Sequence, residues 1–127
     1  MTTMNFGMVE HVAYQVSDIS WHIDFFQTVF GVKINKIKGD QDAPEIVWLS
    51  SGIQLISAAK TPEKMSDHIG MVVADLEATL TLVKKRPDVH PAQGKDQNWI
   101  ILPDGAVLEL IQGNREAMNR LLEKPLR

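Results

Sequence analysis

An α+β fold made of two β-α-β-β-β modules is what this sequence predicts, and three observations carry the prediction. An alternating strand-like segment, then helical spacing, then three more strand-like runs occur in the first half, and the same strand-then-helix grammar resumes in the second. His11 and His68 stand 57 positions apart, as do Asp18 and Asp75, so the repeat is in register across a strand and the helix start that follows it. A chain of 127 residues can bury one core but is too short for two ordinary independent domains, so the halves must share it.

In the first half, Val9 to Val16 alternates as a half-buried strand, with Val9, His11, Ala13 and Gln15 on one face. Ser17-Asp18 is a helix start signal, and His22, Phe25, Phe26, Val29 and Phe30 follow at helical spacing until Gly31 stops the pattern. Val32 to Lys38 reads as a second strand and Gly39 to Pro44 as a turn. Ile46 to Leu49 is the third strand, and after the turn Ser50-Ser51-Gly52 the fourth is Ile53 to Ala58.

A polar connector, Lys60 to Lys64 with Pro62 inside it, leads to the second half. His68 to Val73 is its first strand, Asp75 opens a helix carrying Leu76, Leu80 and Val83, and Arg86 through Lys95 reads as loop. Asn98 to Leu102 and Ala106 to Gln112 are strands joined by the turn Pro103-Asp104-Gly105. From Asn114 onward, Ala117, Met118, Leu121 and Leu122 form one helical stripe that Pro125 ends. The expectation is a single domain over 1–127, with modules at about 6–59 and 66–113 and a helix at about 114–124.

Composition narrows the function. Hydrophobic residues make up 44% and charged residues 23%, and a net charge of −3, from 13 basic against 16 acidic residues, gives no reason to expect nucleic acid. The chain has no cysteine, which excludes disulfides, zinc ribbons and thiol nucleophiles and leaves His, carboxylate or amide oxygen to hold any metal. No run approaches the roughly 18 apolar residues of a membrane helix, and Met1 to Phe6 lacks the features of a secretion signal, so a cytoplasmic protein without membrane contact is expected.

His11 and His68 head equivalent strands, and Gln54 and Glu109 lie in equivalent last strands, with a parity that makes them face alike. A pseudo-twofold arrangement of the halves would bring all four onto one concave surface. Imidazole nitrogen with carboxylate and amide oxygen suits one divalent ion of Fe, Mn, Ni, Co or Zn. His22 and His90 read as structural or exposed. Trp48 and Trp99 occupy matching strands and read as core or cleft wall.

Glu10-His11-Val12-Ala13 with Asp18, Phe25-Phe26 with Phe30-Gly31-Val32, Asp67-His68-Ile69-Gly70 with Asp75, and Pro103-Asp104-Gly105 with Val107-Leu108-Glu109-Leu110 together resemble the vicinal oxygen chelate superfamily. That superfamily includes glyoxalase I, extradiol dioxygenases, methylmalonyl-CoA epimerase and the fosfomycin- and bleomycin-resistance proteins. The resemblance covers about Val9 to Gly113 and implies a curved, barrel-like mixed sheet around a metal cleft with helices outside, commonly in a homodimer. It implies His11, His68 and Glu109 as metal ligands and Gln54 as the fourth. In place, Glu45 resembles the catalytic glutamate of the epimerase, and a ligand glutamate such as Glu109 also serves as base in glyoxalase-like sites.

Three functions follow from the resemblance. The first is a metal-dependent glyoxalase- or epimerase-like enzyme, with Glu45 or Glu109 as catalytic base. It would act on a small oxygen-chelating carbonyl or thioester substrate through a metal-stabilised enediolate. The second is an Fe(II) extradiol-type dioxygenase using only the two histidines and Glu109. The third is a non-enzymatic, bleomycin-resistance-like binding protein. Ala13 and the sequence from Ala92 to Trp99 depart from the pattern of the fosfomycin-resistance branch.

Overall fold

The computed structural model describes residues 5–60, 66–103 and 105–123. Met1 to Met4, the Pro62-containing part of the connector, Asp104 and Pro125 lie outside the described residues. The elements are β1 (Gly7–Val16), α1 (Ile19–Phe30), β2 (Ile34–Asp40), β3 (Ala43–Leu49), β4 (Ile53–Ser57), β5 (Ser66–Val73), α2 (Leu76–Lys84), β6 (His90–Pro91), β7 (Trp99–Ile101), β8 (Val107–Gln112) and α3 (Arg115–Leu122). This is the expected α+β class, with strand, helix and three strands occurring twice before a closing helix. Two compact units emerge, a first of His11–Ile69 and a second of Met1–Glu10 with Gly70–Arg127.

In the first unit the strand order is β2-β3-β4-β1. The sheet is mixed, because β1 runs parallel to β4 while β2, β3 and β4 pair antiparallel. One face carries Val47, Leu49 and Leu55 against α1, and with Val16, Ile19 and Val32 these form a buried cluster to which Tyr14, Ile23 and Phe26 add. Each such side chain contributes on the order of 1.5–3 kcal/mol by leaving water. The Asp18 carboxylate caps α1 by accepting from the Trp21 N–H at 3.1 Å. Gly31, at φ 67°, supplies the left-handed residue that ends the helix.

The expected turn from Gly39 to Pro44 is mostly strand. Gly39 pairs with Pro44 and Asp40 with Ala43, so only Gln41 and Asp42 form the tip. A register shift between Lys38 and Gly39 accommodates this, and Gly39 takes φ 97°. A Cβ there would stand 2.9 Å from the Glu45 nitrogen, so turn-forming residues are used here inside a bulged ladder.

The strands that follow the connector take the order β5-β8-β7-β6, with β5 belonging to the first unit up to Ile69 and to the second from Gly70. The segment read as loop contains a strand: His90 pairs with Ile101 and Pro91 with Ile100, which the neighbouring Pro and Asp residues conceal locally. Asp75 caps α2 by accepting from Ala78 N–H at 3.0 Å, repeating Asp18. No α2 side chain is buried, and a cavity of about 280 Å³ opens beside Leu80, Val83, Val89 and Ile100. The stripe on α3 is only partly used, with Met118 buried while Leu121 and Leu122 stay exposed.

Candidate metal centre

Alternation along β1 sets His11, Ala13 and Gln15 on one face, and the parallel register places Ala13 beside Gln54 of β4. His11, Gln54 and His68 are the buried polar side chains, each no more than 8% exposed. His11 Nε2 and His68 Nε2 converge to 3.0 Å, their rings edge to face.

A carboxylate that the sequence reading quoted but did not assign orients one of these rings. Asp67 Oδ2 accepts from His68 Nδ1 at 2.7 Å, and Asp67 Oδ1 accepts from Gln15 Nε2 at 2.9 Å. The contact with Asp67 puts a proton on Nδ1 and leaves Nε2 as the His68 nitrogen aimed at His11. Gln15 therefore acts on the imidazole one step removed, through Asp67. Strand alternation separates residues 67 and 68, so the periodicity gave no sign of this contact. The adjacency of an acid and a histidine was the available signal.

The remaining expected residues differ in setting. Gln54 lies directly opposite Trp48 on β3, and Glu109 directly opposite Trp99 on β7, so the same aromatic pairing occurs in each unit. Glu109 is half-buried on β8. Glu45 is exposed and sits at the bulge of β3, where Lys38 pairs with Ile46 and Gly39 with Pro44, leaving Glu45 as the residue without a ladder partner. His22 Nδ1 donates to the Asp18 carbonyl at 2.7 Å, a structural contact in the first turn of α1. His90 is exposed on β6.

The histidine pair fits a divalent ion. Two nitrogens about 2.1 Å from one ion stand ~3.0 Å apart at right angles and ~3.4 Å apart at a tetrahedral angle, and the first value matches the observed separation. The chain between His68 and Gln15 supplies the carboxylate support that metal-bound imidazoles require.

Among comparisons with known proteins, no family model and no curated protein matches the chain. Solved structures do match. A hypothetical protein of Bacillus halodurans aligns over 86% of this chain and 96% of its own, with TM-score 0.60 and 16% identity. The 2,3-dioxygenase LapB of Pseudomonas sp. KL28 aligns over 84% of this chain, which spans 42% of its length, with TM-score 0.63 and 18% identity. Methylmalonyl-CoA epimerase of Streptomyces coelicolor, in complex with 2-nitronate-propionyl-CoA, aligns over 83% of this chain and 96% of its own, with TM-score 0.54 and 14% identity. At such identities the likeness is one of fold alone: the chain shares the fold of these proteins.

Proposed function

We propose that this chain is a metal-dependent enzyme of the glyoxalase and epimerase kind, acting on a small carbonyl or thioester substrate. His11, His68 and Glu109 would hold one divalent ion, each offering one ligand atom, with Gln54 as the fourth ligand. The observation that carries the reading is the 3.0 Å convergence of two buried Nε2 atoms, one on a ring fixed by Asp67. The ion, when bound, supplies a Lewis acid that polarises a substrate carbonyl and acidifies the neighbouring C–H.

The protein's own groups complete the chemistry. Asp67 keeps the His68 proton on Nδ1, and Gln15 keeps Asp67 turned toward that ring. Two carboxylates are candidates for the base that takes the proton, Glu109 in the Trp99 row and Glu45 at the bulge of β3. A cytoplasmic homodimer belongs to the same reading. It is supported by the outer face of α1, where Trp21, Val29 and Phe30 are exposed and Trp21 stacks on Phe25. Among the described residues no helix is long and apolar enough to cross a membrane.

Elemental analysis of protein purified without chelator, beside a His68→Ala variant, tests the reading. The expected result is about one equivalent of Fe, Mn, Ni, Co or Zn in the parent and little in the variant. Iron with oxygen-dependent turnover of a diphenol would move the assignment to ring-cleaving dioxygenation. Protein that neither contains nor takes up metal would leave the binding-protein reading.

A further inference from the structure

We infer that the cavity beside α2 is a second ligand site, which takes an aliphatic carboxylate of about six to eight carbons. Leu80, Val83 and Lys84 lie three and four positions apart on α2, so they turn one face of the helix to the cavity. Val89, just before β6, and Ile100 of β7 add to its apolar wall. All of these residues belong to the second unit, so that unit builds the cavity alone. A water-sized group takes up about 30 Å³, so a volume of about 280 Å³ holds at most about nine such groups, which limits the length of the chain.

The lining selects the headgroup. It carries Lys84, Arg86 and His90 and no aspartate or glutamate, although acidic residues outnumber basic ones in the whole chain. Lys84 is exposed, and among the described residues no carboxylate pairs with it. Arg86 Nε stands 3.5 Å from Asp88 Oδ1, with both side chains close to half exposed or more. A surface pair of this kind holds weakly and leaves the two terminal guanidinium nitrogens to donate to a second carboxylate. The end of a helix would by itself repel an anion, but here the carbonyls of Leu82 and Val83 already accept from the N–H groups of Lys85 and Arg86, at 3.2 and 2.9 Å.

This site is separate from the proposed metal centre. Ile100 lines the cavity, whereas its neighbour Trp99, directly opposite Glu109, lies on the other face of β7. The inference therefore stands whether or not the chain binds metal. Because α2 buries no side chain, a bound aliphatic chain would supply packing that the helix lacks, and occupancy would stabilise α2.

Calorimetric titration with octanoate and with octanamide, which share the chain and differ in charge, tests the site. Octanoate is expected to bind about tenfold more tightly, and Lys84→Gln and Arg86→Gln each to remove roughly threefold of that preference while leaving octanamide binding unchanged. Both side chains are exposed, so the urea midpoints of the variants should stay near the parent's. Octanoate should also slow amide exchange in α2. Equal binding of acid and amide would make the cavity a neutral apolar pocket, and an acid preference that survives both substitutions would place the carboxylate elsewhere. Attachment to anionic phospholipid vesicles without binding of free octanoate would assign this face to a membrane surface. Each of these results, like no measurable binding of octanoate, overturns the inference.

Discussion

In the first unit α1 packs into a cluster of six buried side chains that includes its own Ile19, whereas α2 of the second unit buries none and leaves a cavity of about 280 Å³ beside it. Yet both units share the aspartate cap at the helix start and a tryptophan opposite the polar residue of the last strand. What is duplicated is the helix start and the register of the last strands, and what differs is the filling beneath the helices. A β-α-β-β-β module can thus keep its strand register, which positions functional side chains, while its helix packing varies widely.

The largest test of that contrast is truncation on each side. Leu55 is fully buried, and Leu55→Ala should cost about 3 kcal/mol from lost transfer energy and the void left behind. Leu80 already borders open space, so Leu80→Ala should cost less than about 1.5 kcal/mol. Urea denaturation midpoints with unchanged slopes measure both. Equal losses would mean that α2 is packed as firmly as α1.

How much of this was legible follows the range of the forces involved. The caps Asp18 and Asp75 and the stop at Gly31 are local, and the residue types that announced them occupy those positions. The pairing of His90 and Pro91 with β7 depends on a distant strand, and the local sequence argued for a loop. The Trp48–Gln54 and Trp99–Glu109 pairs depend on register, so the sequence suggested matching strands without revealing that each tryptophan stands across from a proposed ligand. Glu45 was placed by resemblance alone, and the bulge that it occupies depends on pairing with β2, which the local sequence does not reveal.

The histidine pair offers a sharper form of the comparison, because the residue before each ring differs. Glu10 precedes His11 and is exposed, while Asp67 is bonded to the ring of His68. In Asp67→Asn the amide must turn its NH₂ toward either the His68 N–H or the Gln15 N–H, setting donor against donor. Metal affinity should fall by about 10- to 100-fold, the usual effect of losing such support, and Glu10→Gln should change it far less. Competition with a chromophoric chelator reads both, and equal effects would remove Asp67 from its positioning role.

The two caps predict a smaller and symmetrical effect. Asp18→Ala and Asp75→Ala each remove an acceptor for one helix N–H and should each cost about 1 kcal/mol. Asp18 starts a helix anchored by buried Ile19, and Asp75 one with no buried side chain. The second loss should therefore appear mainly as faster amide exchange confined to α2, whereas the first should follow global unfolding. Exchange profiles that match in the two helices would contradict the difference in packing.

The smallest effect has the opposite sign. Val83→Ile adds one methylene toward the cavity beside α2, where Leu80, Val89 and Ile100 can meet it without displacement. Burying that group is worth at most about 0.8 kcal/mol, and because the cavity is open to solvent the gain should be roughly half of this. Isoleucine and valine differ little in helix propensity, so a rise in stability would come from filled space and not from the backbone. A loss on Val83→Ile, measured by the same urea midpoints, would mean that α2 already sits as close to β7 as its side chains allow. The contrast between the two units would then lie in exposure at the helix edge, with no space left beneath it.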